Sequence, residues 1–306
     1  MFSRYTLRTG CVAALLCFIP ESASLAQTQV ATPQASAASN YQLVEAVPYR
    51  VVDGQTLVCD LYLPKGAGPF PAVLLIHGGG WGAGNRTQLR RQAAYLADRG
   101  YFGMAIDYRL APANPFPAAF DDAEAALAWL KAHALQYHVD PSRSAAIGSS
   151  AGGHLAAMLG VESGRNSSTG QAPGVQAVVA FNGIFDLNAM PPSQMVANFI
   201  GNACSDAPQR CKDASPLTFV RPGLPPFLIL HGTADQTAPY AQATAFVVAL
   251  QAAHDPVKLF TAPGAPHTFW NQPKWTELSF QAMYAFLADT IGGSSTPRSL
   301  PENLAH

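Results

Sequence analysis

Ser150 stands in the run Ile147-Gly148-Ser149-Ser150-Ala151-Gly152-Gly153-His154, with a glycine two residues away on each side. An apolar run, 144–147, leads in, and an Ala/Leu/Met-rich helical pattern, 154–161, leads out. A strand that bends sharply into a helix needs small residues at the bend, because side chains there would strike neighbouring backbone. Such a turn lifts the serine hydroxyl out of the packing and leaves it at a helix N-terminus, where negative charge is favoured. The spacing also fits an ordinary glycine-rich strand-to-helix turn, so the rest of the chain must decide.

A serine becomes a nucleophile only with a base to take its proton and a group to orient that base. Asp235 follows the apolar run 227–230, in His231-Gly232-Thr233-Ala234-Asp235-Gln236. His267 follows the next apolar run, 257–261, in Pro263-Gly264-Ala265-Pro266-His267. Alone, Asp235 reads equally well as a helix cap and His267 as a surface loop residue. Together they stand at successive strand ends, downstream of the serine turn and in the order Ser, Asp, His.

His77-Gly78-Gly79-Gly80-Trp81 follows the apolar run 72–76. Consecutive glycines let backbone N–H groups converge on one point, as a tetrahedral oxyanion requires. The same stretch carries a rival reading. Gly78, Gly80 and Ala83 match G-x-G-x-x-A between a strand and a helix, with Asp107 ending the next strand where a ribose-binding acid would sit. Dinucleotide binding makes no demand for Ser150; an oxyanion loop demands such a turn downstream. Trp81, beside these glycines, and Phe269 and Trp270, just after His267, are expected to line the pocket; anchoring of the loop is the alternative for Trp270.

The other histidines carry less. His154 is expected to pack locally, and His77 and His231 to tie down loops. His133, His138, His254 and His306 fall in exposed contexts. The sequence has no H-E-x-x-H, no paired cysteine motif and no P-loop, so neither a metal nor a nucleotide cofactor is implied.

These residues need a scaffold. Asp53-Gly54 between the runs 49–52 and 56–63 marks a hairpin. Strand-like runs follow at 72–76, 102–106, 144–147, 175–181, 227–230 and 257–261. Helical patterns fall at 87–99, 117–134, 153–161, 240–254 and 275–287. Strands apolar throughout and alternating with helices imply an α/β fold: a mostly parallel sheet covered on both faces, with the hairpin as an antiparallel edge. The proline-rich stretch 185–225 breaks the rhythm and reads as an insertion near the C-terminal strand ends, where α/β sites lie.

Residues 1–26 read as a secretory signal peptide: Arg4 and Arg8, a short uncharged apolar core, Pro20, then small residues at Ser24 and Ala26. The apolar core is shorter than the roughly 20 residues a membrane span requires. Residues 27–40 read as a flexible lead-in, 41–291 as one catalytic domain and 292–306 as a loose tail. With 18 basic against 19 acidic residues and no basic cluster, nucleic acid and anionic membrane surfaces are excluded as expected partners. Cys204 and Cys211 lie close together in a polar stretch. In an exported chain a disulfide is the expectation and two free thiols the alternative. Cys59, inside a strand pattern, reads as a small buried hydrophobe.

The stretches 77–81, 107–112, 116–122, 139–141, 148–153 and 231–235 resemble the α/β-hydrolase superfamily. Within it they are similar to hormone-sensitive-lipase-like esterases and the related feruloyl and acetyl esterases acting on carbohydrates. The resemblance spans about residues 41–290. It implies Ser150 as nucleophile, Asp235 and His267 as its partners, and the N–H groups of Gly79, Gly80 and Ala151 as oxyanion donors. It implies a scaffold ion pair between Arg109 and Asp121 or Asp122. Ser149 stands where the lipase-like branch usually has Asp, as in the carbohydrate-esterase branch. That branch commonly lacks a helical N-terminal cap, and a substantial lid is not expected here. The implied activity is serine ester hydrolysis on small-molecule or carbohydrate esters, with short acyl or hydroxycinnamoyl groups preferred. A silent binding protein of the same fold, or an amidase or peptidase, is the alternative. Oligomeric state is not legible.

Overall fold

The computed structural model describes Met1 and residues 39–162, 166–167, 170–171 and 174–292. By contacts the chain divides into Met1–Ala38 and Ser39–His306, and the second unit carries everything below. The expected signal peptide, most of the lead-in and most of the tail lie outside the described residues.

Eight strands form the main sheet: β1 (Tyr41–Val52), β2 (Gln55–Pro64), β3 (Phe70–Ile76), β4 (Phe102–Ile106), β5 (Val139–Ser149), β6 (Ala177–Phe181), β7 (Phe227–Gly232) and β8 (Val257–Ala262). Their spatial order is β1-β2-β4-β3-β5-β6-β7-β8. β1 pairs with β2 and β2 with β4 antiparallel. Every later pairing is parallel.

Side chains of β3 separate by parity into two cores, as strand geometry requires. Leu74 and Ile76 join Met104, Ala146, Val178 and Ile229 under α2 (Ala118–Ala132), α3 (Ala151–Glu162) and α6 (Ala241–Ala252). Val73 and Leu75 join Ala105, Ile147, Val179 and Leu230 under α1 (Arg90–Ala97) and α7 (Pro273–Thr290). A sheet buried on both faces explains why these strands are apolar at every position.

Some boundaries differ from the sequence expectation, for local reasons. β1 begins at Tyr41 instead of residue 49, because bulges at 44–47 and 48–50 break the alternation that reveals a strand. Ala46, at φ 55°, sits in the first bulge, and its freed N–H donates to Asp60 Oδ1 at 2.9 Å. The helix expected at 87–99 divides into a 3-10 turn, Arg86–Leu89, and α1. The stretch 185–225 is built from α4 (Gln194–Ile200), α5 (Pro208–Asp213) and a 3-10 turn, Pro216–Phe219. Ser193 caps α4 by accepting from Val196 N–H, and Gly201 ends it at φ 86°. Cys204 and Cys211 are joined by a disulfide, with Cα atoms 5.7 Å apart.

Candidate active site

β5 runs into α3 through Ser150, and the bend leaves no room for side chains. A Cβ on Gly148 would stand 2.0 Å from Gly152 O, and one on Gly152 would stand 2.0 Å from Ile76 O. Ser150 itself takes the left-handed conformation, φ 54°. For a residue other than glycine this is strained, and the surroundings hold it. Its N–H donates to Phe181 O at 2.8 Å, and its carbonyl accepts from His154 N–H at 3.0 Å.

Asp235 follows β7 and His267 follows β8, so adjacent parallel strands deliver both to the same sheet edge as Ser150. The Ser150 hydroxyl lies 3.0 Å from His267 Nε2, which accepts its proton in a hydrogen bond. His267 Nδ1–H donates to Asp235 Oδ2 at 2.7 Å. Asp235 Oδ1 accepts from the N–H groups of Thr237 and Ala238, each at 2.9 Å. Oδ2 also accepts from Asn182 Nδ2 and, at 3.3 Å, takes a share of the His231 Nε2–H, whose nearer acceptor is Ala238 O at 2.8 Å.

Burial by itself would raise the Asp235 carboxyl. The hydrogen bonds from His231, His267, Ala238 N–H and Asn182 outweigh it and hold the group well below the usual carboxylate range. The carboxylate is therefore a fixed anion, and it keeps His267 in the tautomer whose Nε2 faces Ser150.

The loop after β3 packs directly on the serine turn. A Cβ on Gly78 would stand 2.7 Å from Ser149 O and 3.2 Å from Ser150 Cβ. Tyr108 Oη donates to His77 O at 3.0 Å, and Gln88 Oε1 accepts from Gly78 N–H. The loop turns over Gly79, at φ 109°, whose carbonyl accepts from Gly82 and Ala83 N–H. Among the described residues, the N–H groups of Gly79, Gly80 and Ala151 have no hydrogen-bond acceptor. Free donors on the loop that packs against the serine turn, and on the residue after Ser150, are what a developing oxyanion would use.

Three expected pocket residues point elsewhere. Trp81 and Phe269 have no accessible surface, and Trp270 keeps only 4%. Trp81 stacks on Phe199 with ring centres 4.2 Å apart. Phe269 packs with Phe260 and Trp275, and Trp270 with Phe181. Neighbouring a reactive residue in sequence does not fix side-chain direction in a loop. Trp81, at φ 58°, faces inward between Phe199 and His154.

Other residues have structural partners. Asp107, the ribose acid of the rival reading, accepts from Arg86 Nη1 at 2.8 Å and from the Arg86 backbone N–H at 2.7 Å. Arg109 pairs with Asp122, Nε to Oδ2 at 2.9 Å, and not with Asp121. His77 stacks on Tyr108 with ring centres 4.1 Å apart, and its Nδ1–H donates to Gly78 O at 2.7 Å. Sequence reasoning missed Asn182, a lone polar residue ending an apolar strand, which is the one signal it offered. A cavity of about 330 Å³ lies in the 185–225 stretch, lined by Leu187, Met190, Val196 and Cys204 among others. None of Ser150, Asp235 or His267 lines it.

Similarity to known proteins agrees with this geometry. A family model described as BD-FAE matches residues 59–250. The probable carboxylic ester hydrolase LipM of Mycobacterium tuberculosis is 36% identical over 220 residues, 66% of this chain and 50% of LipM. Esterase LipC of the same organism is 32% identical over 215 residues, 66% of this chain and 53% of LipC. The chain thus spans about half the length of these curated relatives. The thermophilic esterase Est2 of Thermogutta terrifontis superposes with TM-score 0.71 at 29% identity, covering 85% of this chain and 95% of Est2. A truncated carbohydrate esterase from gut microbiota superposes with TM-score 0.72 at 26% identity, covering 83% of this chain and 98% of that one. The sheet order, the antiparallel hairpin and these matches identify an α/β-hydrolase fold, and the chain belongs to the BD-FAE family.

Proposed function

We infer that the chain is a serine carboxylic ester hydrolase. The observation that carries this reading is the continuous hydrogen-bonded line Ser150–His267–Asp235 beside the unused N–H groups of Gly79, Gly80 and Ala151. Ser150 Oγ attacks the ester carbonyl carbon while His267 Nε2 takes its proton. Asp235 stabilises the resulting imidazolium without taking the proton itself. The carbonyl oxygen becomes an oxyanion facing the three N–H groups, each such donor being worth about 3 kcal/mol in the transition state. On collapse the alcohol leaves with the proton from His267. A water then gives a proton to Nε2 and attacks the acyl-serine; the acid departs and Ser150 recovers its proton.

The substrates are esters with short acyl or hydroxycinnamoyl groups, including esters of sugars. Two features support small acyl groups: Met195 packs against Gly80, and Est2 has been solved with propionate and with butyrate bound. The carbohydrate esterase among the structural neighbours supports a sugar alcohol. Residues 1–26 support export. Among the described residues no helix is long and apolar enough to cross a membrane.

A panel of nitrophenyl esters of increasing chain length, beside feruloyl and acetylated sugars, tests the specificity. Maximal kcat/KM on acetyl to butyryl or on feruloyl esters is expected, without a jump at the substrate's solubility limit. A maximum at long chains, or such a jump, would make the protein a lipase.

A further inference from the structure

The donors of the oxyanion pocket come from two separate segments. Gly79 and Gly80 belong to the loop after β3, and Ala151 begins α3. Their mutual placement depends on what joins the segments. The first half of the loop is held by Tyr108 and Gln88, through His77 O and Gly78 N–H. The second half ends at Trp81, whose carbonyl accepts from Ala111 N–H at 2.9 Å. Its indole Nε1–H donates to His154 Nδ1 at 3.2 Å.

His154 is fully buried in the first turn of α3, and its own N–H donates to Ser150 O. Its Nε2–H donates to Ala214 O at 2.6 Å. That partner assigns the proton to Nε2 and leaves the Nδ1 lone pair for Trp81. Phe199 of α4 completes the junction, stacked on Trp81 and edge-on to His154 at 5.4 Å. One imidazole therefore touches the glycine loop, the helix that follows the serine, and the disulfide-closed insertion. Trp81 is a bulky residue held at φ 58°, a costly conformation that persists only where surrounding contacts enforce it.

We propose that Trp81 and His154 are positioning residues that set the Gly79 and Gly80 N–H groups relative to Ala151 and Ser150. The proposal rests on the ester-hydrolase reading and adds to it. Oxyanion stabilisation depends steeply on donor placement, so loosening this junction acts on the transition state more than on substrate binding. Burial, opposed by the bond to Ala214, lowers the His154 pKa to about 4, which keeps the imidazole neutral and Nδ1 an acceptor at neutral pH.

The test compares His154→Leu, His154→Gln, Trp81→Phe and the double variant Trp81→Phe/His154→Leu on a soluble nitrophenyl ester, with Tm for each. Trp81→Phe keeps the stack on Phe199 and removes only the indole donor, so it remains informative where His154→Leu folds poorly. His154→Leu and Trp81→Phe are expected to lower kcat by about 10- to 100-fold with KM within about twofold. Glutamine, able to accept from Trp81 and donate to Ala214 O, is expected to retain activity within about fivefold of wild type. The double variant is expected to lose no more than His154→Leu alone, since both break one link. Variants with lowered Tm but wild-type kcat, or fully additive losses in the double variant, would overturn the proposal. A wild-type chain that neither turns over esters nor reacts with a fluorophosphonate would instead overturn the ester-hydrolase reading itself.

Discussion

Met195 packs on the α-carbon of Gly80: a Cβ placed on Gly80 would stand 2.8 Å from both Met195 Cγ and Sδ. A side chain from the insertion thus roofs the loop that carries the free N–H groups. Glycine at position 80 is favoured by its φ of 60°, and a side chain there would also have to displace the flexible Met195 side chain.

This roof predicts a change in specificity. Met195→Ala should open the space beside Gly80, raising the ratio of octanoyl to acetyl kcat/KM by about 10-fold or more. Met195→Trp should lower that ratio. Steady-state kinetics on the two nitrophenyl esters measure it, and an unchanged ratio in both variants would remove Met195 from the acyl site.

Asp235 predicts a graded series. Asp235→Asn keeps the shape but turns an N–H toward His267 Nδ1, so the wrong tautomer is favoured and kcat should fall by about 10⁴-fold. Asn182→Ala leaves the carboxylate with its two backbone donors, His267 and His231. It stays ionised, and kcat should fall by about 10-fold or less. Equal losses in the two variants would mean that the carboxylate is not what orients His267.

Asp122 predicts a loss of stability without a loss of chemistry. It is fully buried and accepts from Arg109 Nε, Arg109 N–H and Arg50. Asp122→Ala leaves the buried Arg109 guanidinium only Ala118 O at 3.2 Å and the exposed Asp53 carboxylate at 3.3 Å, and should cost about 3 kcal/mol in urea unfolding. In the fraction that remains folded, kcat should stay within about twofold of wild type.

His154 predicts a pH dependence of stability. Its folded pKa is lowered from 6.5 to about 4, so between these values the unfolded chain binds the proton and the folded chain does not. Stability from this group is complete above 6.5 and is lost as pH falls toward 4. In His154→Gln the Tm should therefore decline less steeply over that window than in wild type. Parallel declines would assign the acid sensitivity to other groups.

Much of this site was legible because its residues sit where chain periodicity changes. Ser150, Asp235 and His267 each follow an apolar strand, and strands pointing one way deliver such residues to one edge. The glycines at 148 and 152 were legible for the same reason: backbones approach there, and only a hydrogen fits. What stayed hidden depends on contacts across the sequence. Asn182 reaches Asp235 because β6 and β7 are neighbours, which no local pattern states. Met195 lies in a stretch with no apolar period, so its place over Gly80 follows only from the folded insertion. The inward turn of Trp81 rests on Phe199 and His154, both far from it in sequence. The first residues of β1 were concealed by bulges that erase the alternation they would otherwise carry.

As the proposed nucleophile, Ser150 is the residue that an organophosphate should modify. Est2 is described as phosphorylated by paraoxon, and the same reagent tests this chain directly. The purified protein is titrated with paraoxon, ester turnover is followed, and the modified peptide is identified by mass spectrometry. Activity is expected to fall in proportion to one phosphoryl adduct per chain, on the peptide containing Ser150, with neither adduct nor turnover in Ser150→Ala. An adduct on a different residue that abolishes activity, or a Ser150→Ala protein that keeps most of its ester hydrolysis, would contradict it.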